Sequence, residues 1–181
     1  MHEILQSLHE DHVNLMKLLT SMRRELHGAV QDGDPDYNLL MDALDYIKNH
    51  ADAVHHVRED QIYARLKQAH QEHAPLVERL MLEHQQLQES TIEAMTVLSN
   101  ALNDVILDKR TLEDSVENFL IAQQDHMGVE EREVFPLVDS VFEADDWQYV
   151  ATRIHAGEDP LFGEQVEDRY QALYMSLTAA D

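Results

Sequence analysis

From Leu5 onward an inward-type side chain recurs at steps of three and four, through Leu5, Leu8, His12, Leu15, Leu19, Met22 and Leu26. Such steps return to one side of a 3.6-residue turn, so residues 3–28 can fold only as an amphipathic helix with one stripe facing a core. The stripe stops at Gly28, and Gly33-Asp34-Pro35-Asp36 reads as a turn and a new helix start. A second stripe, over 36–70, carries Leu40, Leu44, Ile47, Ala51, Ile62 and Leu66. A third opens on Pro75, a residue suited to a first helical turn, and runs through Val77, Leu80, Leu87, Thr91, Ala94, Leu98 and Leu102. Asn103-Asp104 and Asp108-Lys109-Arg110 bracket a loop, and a fourth stripe follows with Leu112, Val116, Phe119 and Val134, on toward Phe135-Pro136.

Four long amphipathic helices with short connections predict an all-α, up-down-up-down four-helix bundle over residues 1–140. Residues 141–181 predict a helical C-terminal extension: Asp146-Trp147, a turn region at Gly157, Pro160 and Gly163, then a short helix with Val166, Tyr170, Leu173 and Leu177. It could cap the bundle or make a homodimer contact, and the residues leave both open. Only 5 Gly and 4 Pro, with 6% aromatics, agree with an all-helical chain. A net charge of −23 repels phosphate backbones and anionic lipid, so nucleic-acid and membrane-surface partners are not expected. No stretch approaches the ~18 apolar residues of a membrane span. The acidic, amphipathic start MHEILQSLHED is unlike a secretory leader, which predicts a cytoplasmic protein. With no cysteine, thiolate ligands, disulfides and a thiol nucleophile are excluded, whereas 12 histidines stand out.

The stripes have polar gaps. His12 holds a core slot between Leu8 and Leu15; His55 and Glu59 lie between Ala51 and Ile62; His84 lies between Leu80 and Leu87; His126 and Glu130 follow Phe119 and Gln123. Singly, each is unremarkable, since an inward histidine is commonly a hydrogen-bonded core residue and a His-x-x-x-Glu is commonly a surface pair. Together they change the balance. Two inward carboxylates without partners would cost several kcal/mol each, and no Lys or Arg occupies these seams. A divalent or trivalent cation would neutralise both glutamates and use the neutral imidazoles as donors. The set is also repeated: acid-His-x-x-Leu occurs at Asp11-His12 and Glu83-His84, and His-x-x-x-Glu-acid at 55–60 and 126–131. The offset is 72 residues for His12 and His84, and 71 for His55 and His126 and for Glu59 and Glu130. Two equivalent ligand sets suit two metal ions, and four imidazoles with two carboxylates favour iron or manganese over calcium or copper.

With DHVNL, HHVRED, LEHQQL and HMGVEEREVFP at these spacings, the sequence resembles the hemerythrin-like (His-His-Glu cation-binding) family over roughly residues 3–140. The resemblance implies a four-helix bundle with a non-haem di-iron centre (Fe2+/Fe3+, oxo- or hydroxo-bridged) that binds O2, peroxide or NO, or senses or handles iron. Manganese or zinc could take the same ligands. Carried over, the ligands are His12, His55, Glu59, His84, His126 and Glu130. Gln88 stands where oxygen-carrying members have a second histidine on the third helix, and their aspartate, five residues after the last histidine, corresponds to Glu131. Four residues turn a helix ~40° and five turn it ~140°, which favours Glu130 over Glu131. The four-His, two-Glu pattern is closer to the iron-handling and iron–sulfur-repair branch, without the cysteine-containing N-terminal module common there.

His56 and Asp60 lie ~100° from the inward seam and form a rim pair, with His56 held open as a gate or reserve ligand in place of the histidine missing at Gln88. Tyr63 and Phe135 are expected to pack above the site as core aromatics, Gly128 to be a tolerated surface glycine, and His9 a solvated flank residue. Two other functions compete. A histidine phosphotransfer module needs one exposed histidine, for which His56, His50 or His27 would serve. A metal-free structural bundle needs its inward histidines bonded to one another.

Overall fold

A computed structural model of the chain describes residues 1–28, 35–103, 108–154 and 157–179. The expected turn at Gly33-Asp34 and the loop start at Asp104 lie outside the described residues. Among the described residues every regular element is helical. α1 spans Glu3–Gly28. α2 (Tyr37–Tyr46) starts on Asp36, whose carboxylate accepts the free backbone N–H groups of Asn38 and Leu39. It runs on through a π-helical segment, Ile47–His55, into α3 (His56–Ala69). α4 (Ala74–Leu102) carries Pro75 in its first turn. α5 (Lys109–Val129) passes through a second π-helical segment, Glu130–Val134, into α6 (Phe135–Val141). Pro136 cannot donate to the carbonyl one turn back, and the switch to i→i−5 bonding comes just before it.

α1 packs beside α2 and α5, and α4 beside α2, α3 and α5. The apolar stripes meet in two cores. One contains Leu15, Leu19, Leu44, Ile47, Leu98 and Phe119, the other Leu5, Leu8, Ile62, Leu80, Val134 and Val138. The chain passes from the second core to the first along α1, back along residues 37–69, across again along α4, and back along residues 109–141. His12, His55, Glu59, His84 and Glu130 each lie at the crossing point, so the polar residues form a layer between two apolar blocks. Each buried leucine contributes roughly 1.5–3 kcal/mol, which holds a costly polar layer in place. Leu102, expected to face inward, is 39% exposed because the seam runs past the end of the core there.

The remaining chain lies against the helices. α7 (Ala144–Ala151) packs on α3, with Asp146 held 2.7 Å from the Arg65 guanidinium. Tyr46 donates its hydroxyl to Asp159 at 2.9 Å, and Leu161 and Tyr170 are buried in the first core. α8 (Gln171–Thr178) rests on α1 and α2. Among the described residues no helix is long and apolar enough to cross a membrane.

Candidate metal centre

Glu59 and Glu130 are fully buried at the middle of the layer, and each carboxylate spans two groups of imidazoles. On one side His12 Nε2 lies 3.4 Å from Glu59 Oε1 and 3.4 Å from Glu130 Oε2, and His55 Nε2 lies 3.3 Å from Glu59 Oε1. On the other side His84 Nε2 lies 3.5 Å from Glu59 Oε2 and 3.4 Å from Glu130 Oε1, with His126 Nε2 3.1 Å from Glu130 Oε1. Two sets of candidate ligand atoms result, one from His12, His55 and Glu59 and one from His56, Glu59, His84 and His126, each within 4.8 Å of one another. All six residues of the sequence expectation therefore converge, and a seventh joins them.

That seventh residue is His56, which corrects the expected rim position. It is 3% exposed, stacks on His84 at 4.2 Å between ring centroids and meets the edge of His126 at 5.7 Å. The π-helical segment that ends at His55 explains the difference. Its wider turn rotates less per residue, so His55 and His56 both reach the layer, which α-helical spacing forbids. The expected His56–Asp60 pair is not formed. His56 Nδ1 lies 3.5 Å from Asp52, and Asp60 instead accepts from His84. Gln88 stays outside, exposed, with its amide donating to the Asp52 carbonyl at 3.2 Å. Glu131 does not face the centre; it binds His12 Nδ1 at 2.8 Å and His9 Nδ1 at 3.0 Å.

Glu131 is one of four carboxylates that hold the imidazoles from behind. Asp11 accepts from His55 Nδ1 at 3.0 Å, Asp60 from His84 Nδ1 at 2.9 Å, and Glu83 from His126 Nδ1 at 3.0 Å. Such bonds fix the tautomer and turn every Nε2 toward the centre. They also repeat. The acids before His12 and His84 hold the histidines of the next helical run, His55 and His126, and the acids after Glu59 and Glu130 hold His84 and His12. The sequence carried this signal in the acids flanking both motifs. Tyr63 is also more than packing, since its hydroxyl donates to Glu130 Oε1 at 2.5 Å. Its spacing of four from Glu59 signals only that it shares the inward face. Phe135 does pack as expected, stacked on His12 at 5.3 Å.

Electrostatics follow from this geometry. Burial disfavours a charged His84, yet the neighbouring carboxylates of Asp60, Glu130 and Glu59 outweigh burial and raise it to about 11. Against burial, His12 is raised by Glu130, Glu131 and Glu59, His55 by Glu59 and Asp11, and His126 by Glu130 and Glu83. Glu59 and Glu130 are held well below the carboxylate range because the facing imidazoles outweigh burial. His56 moves the other way, driven low by burial and by the neighbouring His84. Even so, protons do not satisfy the cluster. His12 Nε2, His55 Nε2, His126 Nε2, both oxygens of Glu59 and Glu130 Oε2 have no hydrogen-bond partner among the described residues, their contacts being too long or misaligned. Buried orphans of this kind cost several kcal/mol. One or two cations among them would take these atoms as ligands, and this N/O donor set fits first-row transition metals.

Replacing Tyr63 with Phe removes the hydroxyl donor from a fully buried carboxylate. The metal-free protein should lose about 1–3 kcal/mol, read as a lower urea midpoint at unchanged slope. An unchanged midpoint would show that the Tyr63–Glu130 bond contributes nothing.

Buried imidazoles and carboxylates inside an all-helical scaffold define a helical protein with a site able to hold a metal ion. The hemerythrin HHE cation-binding domain matches residues 3–138, and the chain belongs to that family. No curated protein and no solved structure matches it.

Proposed function

We propose that this protein is a non-haem di-iron protein that binds or reacts with O2, peroxide or NO, or handles iron. The observation that carries the reading is that Glu59 and Glu130 each direct one oxygen to either histidine group. The first iron would be held by His12, His55, Glu59 and Glu130, and the second by His84, His126 and the same two glutamates. His56, kept neutral by its surroundings, is suited to complete the second position and would make the two positions unequal. Bound iron would supply reversible one-electron chemistry and coordination of a small ligand.

The chain's own residues prepare that chemistry. Asp11, Asp60, Glu83 and Glu131 orient the imidazoles, Phe135 shields His12, and the Tyr63 hydroxyl holds a proton against Glu130 Oε1. The alternation of cores along the chain supports the up-down-up-down topology, with the described residues of 1–140 carrying the centre and those of 141–181 packed against the helices.

The two competing readings meet opposing observations. His50 and His56 are buried, and His27 is bonded to Glu117 at 3.1 Å, so none of the three offers a free surface imidazole for phosphotransfer. A metal-free bundle would leave the orphaned atoms of the layer unexplained.

The test is anaerobic titration of the metal-free protein with ferrous iron, followed by metal analysis and absorption spectra before and after oxidation. Two irons per chain and near-ultraviolet charge-transfer bands are expected. No retained iron would end the reading.

A further inference from the structure

Beside α1 lies a groove of about 1150 Å³, walled by α1, by α5 and by residues of the extension. Three cations line it: Lys17, Arg24 and Arg132. In a chain with 36 acids, Arg23, Arg58, Arg65, Arg79 and Arg169 each have a carboxylate partner. The three groove cations have none within 4 Å among the described residues. Lys17 meets only the Asn14 amide oxygen at 3.5 Å, and Arg24 only the Ser21 hydroxyl at 3.2 Å. The Arg132 guanidinium folds back over Gly128, where a Cβ would stand 2.7 Å from its Nη1. Gly128, expected to be merely tolerated, is thus the space in which this cation lies along the groove.

The groove is also apolar. Val13 is 43% exposed, and Met16 and Tyr174 are each 39% exposed, all three along its walls. Glu131, the carboxylate at its inner end, is already engaged by His9 and His12. Phe162, Tyr174 and Leu177 come from beyond the residues matched by the family, so this chain's own extension completes the groove.

Unpaired cations beside open apolar walls, on a molecule whose net charge repels anions, constitute a local selection for one ligand chemistry. We propose that the groove binds a small organic anion with an apolar body, its charged head taken by Lys17, Arg24 and Arg132 and its body laid on Val13, Met16 and Tyr174. Its inner end abuts the Glu131–His12 pair, so the occupant would lie against the flank of the candidate metal centre.

The test uses the full-length protein with 8-anilinonaphthalene-1-sulfonate as a fluorescent probe and decanoate as competitor. Decanoate should displace the probe, and decyltrimethylammonium should not, although bulk charge favours the cation. Replacing Lys17, Arg24 and Arg132 together with Gln should weaken both anions about tenfold or more, since a charge-assisted bond is worth 1.5–3 kcal/mol and each 1.4 kcal/mol is tenfold. Lys48→Gln with Arg110→Gln, which removes two cations outside the groove, should leave binding unchanged. Circular dichroism verifies that both variants are folded. The proposal is overturned if the probe does not bind, if the triple variant binds as the parent does, or if the cationic amphiphile competes equally. Because no metal is needed, a protein that takes up no iron yet binds the probe in this way upholds the groove and overturns only the di-iron reading.

Discussion

On the di-iron reading, Glu59→Gln should abolish uptake of both iron ions while leaving the helical fold intact. The carboxylate sends Oε1 toward His12 and His55 and Oε2 toward His84, so one substitution strips a donor from each position. The amide keeps the volume of the side chain but is a neutral, weak ligand. Bound iron should fall from about two per chain to a small fraction of one. His55→Ala, which touches one side only, should leave the second position able to load. The fold should survive because the two apolar cores on either side of the layer are untouched and the amide keeps the side-chain volume. A Glu59→Gln protein that still held two irons per chain would show that Glu59 does not bridge the centre.

The second large effect is on stability. The metal-free protein should weaken as pH rises from 7 to 10, and the iron-loaded protein should not. Burial opposes the charge on His84, but Asp60, Glu130 and Glu59 hold it at about 11 against an ordinary 6.5. A group raised on folding contributes stability that is whole below the unfolded value and is lost as pH climbs toward the folded one. His12, His55 and His126 are raised in the same sense. The lowered Glu59 and Glu130 lose their contribution only on acidification, and the lowered His56 has no effect above 6.5. Nothing therefore offsets the loss in that window. At 1.36 kcal/mol per unit the loss is on the order of 3 kcal/mol, or roughly 6–12 °C in Tm for a chain of this size. Bound metal replaces the imidazolium protons with a charge that pH does not remove. Calorimetry at pH 7 and 10, with and without iron, measures both arms. A flat or rising Tm for the metal-free form would contradict the account.

Helix existence and inward faces were legible because the period of burial is local. Leu5, Leu8, Leu15 and Leu19 alternate at three and four, and all are buried. His12, His55, Glu59, His84, His126 and Glu130 were legible for the same reason, as polar interruptions of those stripes. The 71- and 72-residue repeat marks two matching sets of inward polar residues in the sequence itself. Tyr63 was visible as an inward aromatic, but its hydroxyl bond to Glu130 was not, since it joins residues 67 apart in sequence.

The sequence by itself determined which side chains line the seams and that they come in two matching sets, because α-helical spacing projects residue order directly onto a face. Only the tertiary structure decided that His56 belongs inside. A π-helical turn costs backbone regularity and is stabilised by what surrounds it, not by the spacing of the residues it contains. The tertiary structure likewise decided the partners of the imidazoles, since Asp11, Asp60, Glu83 and Glu131 reach histidines 44, 24, 43 and 119 residues away. It also decided that three cations of an acidic chain share one groove with the extension, because separate helices must pack before their outer faces acquire a common wall.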